Sequence, residues 1–431
     1  MDTREKYARY VMTSFTAGLE PVVVASAEGA RVVDEDGRSY IDCYSGISVV
    51  NAGHGNPDVR QAAKEQIDRL IHCSSYTYYA QPVAELAERL AAVTPGRLQK
   101  TFFANSGAEG IEAAMRLAKV YTGKHEFIAL ERSFHGRTLA TLSVTGNMSR
   151  KTRGGAFASG VAFAPAPYPY RSLFGADPET VAERAAQAVE DVIRFHTSGD
   201  VAGFIVEPVM GEGGIIVPPA TYLPRVKEIL DRYNILLIVD EVQSGFGRTG
   251  KLFAVEHFGV EPDIMVMAKG IADGFPLSAT IARAEIADAF RPGEHLSTFG
   301  GNPVSCAAGL ANLEFLLRED VPGQAARKGD HALTRLRALA ERLPAIGEAR
   351  GLGLMLGVEL VSDRERRTPD AALARDVRRY CRERGVLVGV GGTEANVVRI
   401  QPPLVIAQGD LDEALDVIAA GIESLSAAHA G

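Results

Sequence analysis

Lys269 and Asp240 each follow a short apolar run of the sequence. Residues 264–267 and 235–239 show no helical spacing, which predicts two strands that are buried on both faces. Open α/β sheets bind their ligands at the carboxyl ends of such strands. Two plainer interpretations stay open at this point: the lysine extends along the surface to solvent, and the aspartate caps a helix.

The two side chains together suit a pyridine cofactor. A lysine amine forms a Schiff base with an aldehyde, and a carboxylate keeps a pyridinium nitrogen protonated, so that the ring accepts electrons. We therefore expect Lys269 and Asp240 to be the catalytic residues of such a site.

The segments around this pair resemble the class III pyridoxal-phosphate aminotransferases, the group of 4-aminobutyrate, ornithine and acetylornithine aminotransferases. The resemblance rests on VDEVQSGFGRTG at 239–250 and AKG at 268–270, and it extends over nearly the whole chain. It implies pyridoxal 5'-phosphate as cofactor and the α/β architecture of fold type I. It also implies an N-terminal segment of a small α+β domain (1–55), a large cofactor-binding domain with a mostly parallel sheet (56–318), and a C-terminal part of the small domain (319–431).

The sequence NSGAEG at 105–110 predicts a helix start behind a strand. Ser106 occupies an N-cap position and Glu109 follows three residues later, as in a capping box. The loop is equally compatible with a plain cap and with a phosphate site, where free N–H groups and the helix dipole face an anion. Gly110 replaces the family's usual alanine, which we expect to loosen the first turn by up to about 1 kcal/mol. The resemblance implies as phosphate ligands Ser106, Gly107 and Ala108.

The resemblance assigns five further positions to the cofactor. Phe134 would lie flat on the pyridine ring with His135 beside it, and Glu207 would lie near the cofactor. Gln243 would reach its phenolic oxygen. Thr298 would bind the phosphate in the neighbouring subunit's site, which implies a homodimer with shared sites or a larger assembly.

Four residues are implied in substrate binding. Ile47 would pack beside the substrate and Arg137 would bind a distal carboxylate. Arg399 would bind the α-carboxylate, with Glu212 close to it. The residues alone leave alternatives open, since Ile47 also suits plain core packing and Arg399 also suits a buried ion pair.

The substrate-site residues most resemble those of 4-aminobutyrate aminotransferase. We therefore expect a ping-pong reaction with an ω-amino acid as donor and an oxo acid such as 2-oxoglutarate as acceptor. An acetylornithine or ornithine aminotransferase shares most of these residues, and some class III members racemise amino acids, so both remain alternatives.

A nucleotide-binding protein is the alternative from a different class, because GFGRTGK at 245–251 matches GxGxxG and most of a Walker loop. Leu252, however, occupies the position of the magnesium-binding Ser or Thr, and residues 240–243 separate the glycines from their strand. These mismatches disfavour nucleotide binding. A non-catalytic scaffold is disfavoured by the intact Lys269, Asp240 and Ser106.

Composition excludes further classes. Of 431 residues 46% are hydrophobic and 23% charged, as in an ordinary enzyme, and the net charge of −8 disfavours nucleic acid as a partner. No apolar run reaches membrane-spanning length, the charged N-terminus lacks a signal-peptide core, and the histidines lack metal-binding spacing. The four cysteines are scattered, so we expect reduced thiols in a cytoplasmic protein without a metal site.

Overall fold

Two sheets organise the part of the chain that this computed structural model describes, residues 1–13 and 18–429. The first sheet has seven strands, which lie side by side in the order β4 (Leu98–Ala104), β10 (Ser278–Arg283), β9 (Ile264–Met267), β8 (Leu236–Asp240), β7 (Val201–Val206), β5 (Glu126–Leu130) and β6 (Val161–Ala164).

Most neighbouring strands of the first sheet are parallel. Only β10 runs antiparallel to its neighbours β4 and β9, which confirms the predicted mostly parallel sheet. The strands β7, β8 and β9 are buried along their whole length, as their uninterrupted apolar sequences predict. Asp240 pairs with Val266, so the carboxyl ends of β8 and β9 meet at one edge of the sheet.

Helices cover both faces of this sheet. Leu236 and Ile238 of β8 pack in the apolar core that includes Ile111, whereas Leu237 and Val239 pack in the core on the opposite face. The helices of this part are α3 (Pro57–Arg69), α4 (Gln81–Val93), α5 (Gly107–Thr122), α6 (Leu139–Ser143), α7 (Pro178–Phe195), α8 (Tyr222–Tyr233), α9 (Ala284–Ala287) and α10 (Pro303–Arg318).

The second sheet draws its strands from both ends of the chain. They lie in the order β1 (Val24–Glu28), β2 (Arg31–Asp34), β3 (Ser39–Cys43), β14 (Val386–Gly391), β15 (Val397–Ile400), β12 (Met355–Asp363) and β11 (Ile346–Leu352), with β13 (Thr368–Pro369) pairing with β12. The two ends of the chain meet in the parallel pair β3 and β14. This agrees with a small domain built from both termini, while the division at 55 and 318 stays a prediction.

The remaining helices precede residue 57 or follow residue 318, and the later ones pack against the second sheet. They are α1 (Thr3–Tyr10), α2 (Ser45–Ser48), α11 (Val321–Arg342), α12 (Ala371–Glu383) and α13 (Gln408–His429). No helix within the described residues combines the length and apolar character that crossing a membrane requires.

The glycine-rich loop at 245–251 is a packing element. Residues 245–249 are buried. A Cβ added at Gly247 would come within 3.1 Å of Leu404, and one at Gly250 within 2.9 Å of Ala326. The glycines thus let the loop pack against the C-terminal part of the chain, which leaves no open backbone for a nucleotide phosphate.

Candidate active site

Three ionisable residues follow three neighbouring strands at one edge of the first sheet. Glu207 follows β7, Asp240 ends β8, and Lys269 comes two residues after β9. Because these strands are parallel neighbours, their carboxyl ends lie side by side. The topology therefore brings together an amine and two carboxylates that the sequence separates by up to 62 residues.

Lys269 is held in an uncommon backbone conformation. Its φ of +48° lies in the left-handed region, which non-glycine residues seldom occupy outside constrained sites. Burial lowers the pKa of its amine, although Glu212 and Asp240 oppose this effect. Among the described residues no hydrogen bond or ion pair engages its Nζ, so the amine is free to react as a nucleophile.

Asp240 serves two purposes. Its Oδ1 accepts a hydrogen bond from the Val242 N–H at 3.0 Å, and its Oδ2 lies 2.8 Å from the Nδ1 of His135. Both side chains are buried. Residues 242–249 form turns, so Asp240 does not cap a helix as the plainer interpretation had it, and its Oδ1 instead accepts from a turn N–H. The other ring nitrogen of His135, Nε2, is buried and has no partner within the described residues.

Glu207 fixes two loops of the site. Its Oε1 accepts from the Phe134 N–H and its Oε2 from the Gly211 N–H, both at 2.9 Å. Burial and the nearby charge of Asp240 raise its pKa to about 7, although His135 lowers it. The carboxyl group thus holds the segment of Phe134 in place and starts the loop that carries Glu212.

The start of α5 has the features of an anion site. Ser106 is the N-cap, and its Oγ accepts from the Glu109 N–H at 3.3 Å. The N–H groups of Gly107 and Ala108 precede the first intrahelical hydrogen bond, and no described residue accepts from them. A Cβ at Gly107 would lie 2.9 Å from Val242, so only glycine fits there.

Two details at this helix differ from the sequence prediction. The Glu109 carboxylate accepts from the Asn105 N–H at 2.9 Å instead of the Ser106 N–H, so the predicted capping box is only half formed. A Cβ at Gly110 would lie 2.7 Å from Val266 of β9. Gly110 therefore allows the helix to approach the sheet closely, and its lower helix propensity is offset by that packing.

Gln243 lies against the loop that follows Glu207. A Cβ at Gly211 would overlap the Gln243 Oε1, at 1.2 Å, so the two segments are in direct contact. The Nε2 of Gln243 is buried and finds no partner in the described part of the chain. A buried donor without a partner is a position where a ligand oxygen can bind.

Glu212 and Arg399 form a buried ion pair. The Nη1 of Arg399 on β15 donates to the Glu212 Oε1 at 2.6 Å, and the side chains are 3% and 14% exposed. Burial would raise the pKa of Glu212, but Arg399, then Lys269 and Arg150, lower it to about 2. Arg399 therefore forms the buried ion pair that the sequence analysis left open as an alternative to carboxylate binding. A Cβ at Gly391 would lie 2.7 Å from the Arg399 Nε, so this strand residue leaves room for the guanidinium.

The sequence analysis did not identify two arginines that lie at the site, Arg150 and Arg350. The Nη2 of Arg150 donates to the second oxygen of Glu212, Oε2, at 3.2 Å. Arg350 donates from Nε to the carbonyl oxygens of Gly214 and Ile215 at 3.1 and 3.0 Å, which ties β11 to the Glu212 loop. No local pattern marks either arginine, because the partners are 62 and about 136 residues away.

Arg137 and Thr298 are placed differently from the other candidates. Both are exposed. The Arg137 guanidinium lies 5.6 Å from the centre of the Phe134 ring, and it pairs with no carboxylate among the described residues. Thr298 makes no hydrogen bond to any other candidate, so this chain alone does not bring it into the site.

Ile47 belongs to a left-handed helical turn. The φ angles of Ser45, Gly46, Ile47 and Ser48 are +47°, +62°, +69° and +60°. Such a turn costs about 1–2 kcal/mol per non-glycine residue, so the surroundings must impose it. Ile47 is half-buried, so its side chain is not part of the fully buried core, and its contact with a substrate stays a prediction.

Asp42 and Arg248 hold this turn. The Asp42 Oδ1 accepts from the N–H groups of Tyr44 and Ser45 at 2.8 and 2.9 Å. Arg248, fully buried, donates to the Asn51 Oδ1 at 2.6 Å and to the Ser45 Oγ at 3.4 Å. Burial lowers the pKa of Arg248 to about 9, since no carboxylate pairs with it directly.

The family is decided by the extent of the sequence match. The sequence model described as "Aminotransferase class-III" matches residues 15–422. The chain belongs to this family. The match confirms the resemblance to class III aminotransferases that the motifs indicated. The expected enzyme class and fold type I are confirmed as well.

Related class III proteins differ in the activity they are named for. The acetylornithine aminotransferase of Methanothermobacter thermautotrophicus is 42% identical over 417 residues, 97% of either chain. The leucine/methionine racemase of Thermococcus litoralis is 38% identical over 429 residues, 99% of this chain and 96% of the racemase. The probable 4-aminobutyrate aminotransferase of Bacillus subtilis is 36% identical over 424 residues, which cover 98% of this chain and 97% of the Bacillus protein.

Solved transaminase structures share the whole fold. A thermostable (S)-enantioselective ω-transaminase from Thermomicrobium roseum aligns with a TM-score of 0.92 at 34% identity and 99% coverage of each chain. The family likeness therefore includes both sheets and the edge where Lys269 lies.

Class III aminotransferases depend on pyridoxal phosphate, and the free groups of this site fit that cofactor. The helix N-terminus at Gly107 offers N–H groups to a phosphate, and the unpaired Nε2 of Gln243 offers a donor to an oxygen. Lys269 offers an amine without a partner, and Asp240 is a buried carboxylate at the neighbouring strand end. No group of three potential metal ligands occurs among the residues described.

Proposed function

We propose that this aminotransferase accepts donors whose reacting amine is not next to a carboxylate, and passes the amino group to an oxo acid such as 2-oxoglutarate. One observation carries the proposal: Glu212 already neutralises Arg399, the arginine expected to bind an α-carboxylate. An ω-amino donor brings no carboxylate to that position and leaves the pair intact. Both 4-aminobutyrate and N-acetylornithine are donors of this kind.

The free groups described above support the following cofactor roles. When bound, pyridoxal phosphate supplies the aldehyde that takes up the amino group and a ring that accepts electrons. Asp240 keeps a proton on the ring nitrogen, and the Nζ of Lys269 carries a proton between the substrate and cofactor carbons. Ser106, Gly107 and Ala108 bind the phosphate, together with Thr298 of the partner subunit. Those that position the ring are Phe134, His135, Glu207 and Gln243.

Two arginines divide the substrate carboxylates between them. Arg137 is exposed and unpaired with any carboxylate in the described part, which suits a distal carboxylate. Arg399 binds the carboxylate next to the reacting carbon of 2-oxoglutarate or glutamate. Ile47 packs against the substrate, and its strained turn fixes the side chain.

The comparisons bear on which donor is used. The 42% identity to an acetylornithine aminotransferase favours N-acetylornithine over the initially expected 4-aminobutyrate, whose named relative is 36% identical. Racemisation of α-amino acids is the second candidate function, since a racemase is 38% identical over 429 residues. A racemase substrate would bring an α-carboxylate to Arg399 at every turnover.

A donor panel tests the proposal. The holoenzyme is incubated with N-acetylornithine, 4-aminobutyrate, L-leucine or D-leucine, with and without 2-oxoglutarate. Glutamate formation and the chirality of leucine are measured by chiral chromatography. We expect glutamate from at least one ω-amino donor, only when 2-oxoglutarate is present. Racemised leucine in the absence of an oxo acid, without glutamate from either ω-amino donor, would overturn the proposal.

We also propose a homodimer in which each subunit completes the other's site. Exposed apolar side chains support this, because large exposed apolar surfaces usually contact another chain. They occur on two neighbouring segments, where the rings of His72 and Phe299 lie 5.4 Å apart. The exposed residues are Ile71, Tyr78, Tyr79, Leu296 and Phe299. A cytoplasmic location remains an expectation from the scattered, unpaired cysteines.

A further inference from the structure

We propose that Arg150 is a specificity-determining residue that binds the Glu212 carboxylate while Arg399 binds the carboxylate of an α-amino or oxo acid. This inference rests on the proposed function, because it concerns the half-reaction in which glutamate or 2-oxoglutarate occupies the site. It assigns a binding role to a residue outside every motif of the sequence analysis.

The contacts of Glu212 carry the proposal. Its two carboxylate oxygens are shared between two arginines: Oε1 accepts from Arg399 at 2.6 Å and Oε2 from Arg150 at 3.2 Å. The Arg399 side chain is 3% exposed and that of Arg150 31%. Glu212 therefore needs only to rotate about its own side-chain bonds to move fully from the buried arginine to the more hydrated one.

Arg150 is fixed to the same segment as the ring-contacting residues. It ends a short 3-10 helix, Met148–Arg150, whose N-cap Asn147 accepts from the Ser149 N–H at 3.1 Å. The Asn147 N–H donates to the Ser133 carbonyl at 3.0 Å, next to Phe134. These contacts hold the backbone of Arg150 beside the site, and the one hydrogen bond that its guanidinium makes among the described residues is the one to Glu212.

A count of charges shows why a second arginine is needed. Glu212, Arg399 and Arg150 together carry a net charge of +1, which one substrate carboxylate neutralises. Without Arg150 the same substrate would leave two carboxylates competing for one guanidinium. A buried carboxylate that loses its partner is strongly destabilised. Arg150 removes that penalty in the half-reaction in which Arg399 is occupied.

A simpler role for Arg150 predicts a different result. If Arg150 only held Glu212 against Arg399, its loss would disturb that pair and slow mainly the half-reaction with the ω-amino donor, while 2-oxoglutarate binding would be unchanged or tighter. The two roles therefore differ in which half-reaction depends on Arg150. A double-mutant cycle with Glu212 shows in addition whether Arg150 acts through that carboxylate.

The experiment uses holoenzymes of the variants Arg150→Gln, Glu212→Gln and the double variant, with Arg153→Gln as control. Arg153 is an exposed arginine three residues further along the same segment, so it matches the lost charge. Two quantities are measured: the dissociation constant of 2-oxoglutarate by calorimetry, and single-turnover rates with glutamate and with an ω-amino donor.

We expect Arg150→Gln to weaken 2-oxoglutarate binding by about tenfold, with a similar loss for glutamate and a smaller one for the ω-amino donor. In the Glu212→Gln background the same change should have little effect, because no carboxylate is left unpaired. A loss for the ω-amino donor as large as or larger than that for glutamate, no coupling to Glu212, or the same loss in Arg153→Gln would overturn the inference. A wild-type enzyme that transfers no amino group would instead refute the proposed function, and the binding cycle would still test Arg150.

Discussion

At the residue scale, the proposed reaction depends on which charges surround the amine of Lys269. Glu212, Asp240 and Glu207 favour its protonated form, whereas burial and Arg399 favour the neutral form. The pKa is lowered overall, and the neutral amine is the species that attacks an aldehyde.

The first prediction concerns this amine. We expect Lys269→Ala to lower transamination by about 10³-fold or more, since the group that moves the proton is lost. The thermal unfolding temperature should change little, because the Nζ makes no hydrogen bond within the described residues. Lys251→Ala, which changes an exposed lysine, is the matched control. Turnover by Lys269→Ala at the rate of that control would contradict the assignment.

The second prediction separates the two purposes of Asp240. In Asp240→Asn the amide oxygen can still accept from the Val242 N–H, while the negative charge toward the cofactor nitrogen and His135 is lost. We expect kcat to fall by about 10²-fold with little change in unfolding temperature. Rates equal to wild type would mean that Asp240 only stabilises the turn at Val242.

The sequence predicts the place of some site residues but not of others. The neighbouring positions of Lys269 and Asp240 were predictable because each lies at or just beyond the end of an apolar strand, and parallel strands present their carboxyl ends together. Arg150 and Arg350 were not, since nothing near them in sequence indicates the distant Glu212 loop that they contact.

At the scale of elements, the site depends on close approaches between secondary structures. The helix α5 begins beside β8 and β9 because Gly107 and Gly110 leave space for Val242 and Val266. Strands and helices with regular apolar spacing were predictable from the sequence. The left-handed turn α2 was not, because the distant Arg248 helps to impose it.

The third prediction tests the helix start. A Cβ in Gly107→Ala would lie 2.9 Å from Val242, which must displace either the valine or the first N–H groups of α5. We expect the dissociation constant of pyridoxal phosphate, measured by titration of the apoenzyme, to rise by about tenfold. Gly409→Ala, where a Cβ meets nothing within 4 Å, is the control and should bind the cofactor like wild type. Unchanged affinity in Gly107→Ala would exclude this helix start as the phosphate site.

At the scale of the whole molecule, two features of the described residues support the proposed homodimer. Thr298 is exposed and makes no hydrogen bond to the other candidate residues in the described part of the chain, and apolar side chains are exposed around Phe299. The sequence predicted a small domain built from both termini, because the motifs of one family span the chain. It could not show which surfaces remain uncovered, since exposure depends on the packing of all elements.

The fourth prediction concerns this assembly. We expect sedimentation to give a dimer at assay concentrations, and dilution below its dissociation constant to release the cofactor, because the proposed phosphate ligand Thr298 would come from the partner subunit. Thr298→Ala should weaken cofactor binding while the dimer persists. An active monomer at assay concentration would rule out shared sites.

The most direct test of the proposed function is the effect of Glu212→Ala on the two half-reactions. Without Glu212, Arg399 is left unpaired when an ω-amino donor binds, at a cost of about 3–5 kcal/mol, whereas glutamate supplies its own carboxylate. Single-turnover rates with N-acetylornithine or 4-aminobutyrate and with glutamate are measured in wild type and variant. We predict a large loss for the ω-amino donor and little or none for glutamate. Equal losses in both half-reactions would contradict the account and leave Glu212 as a structural carboxylate.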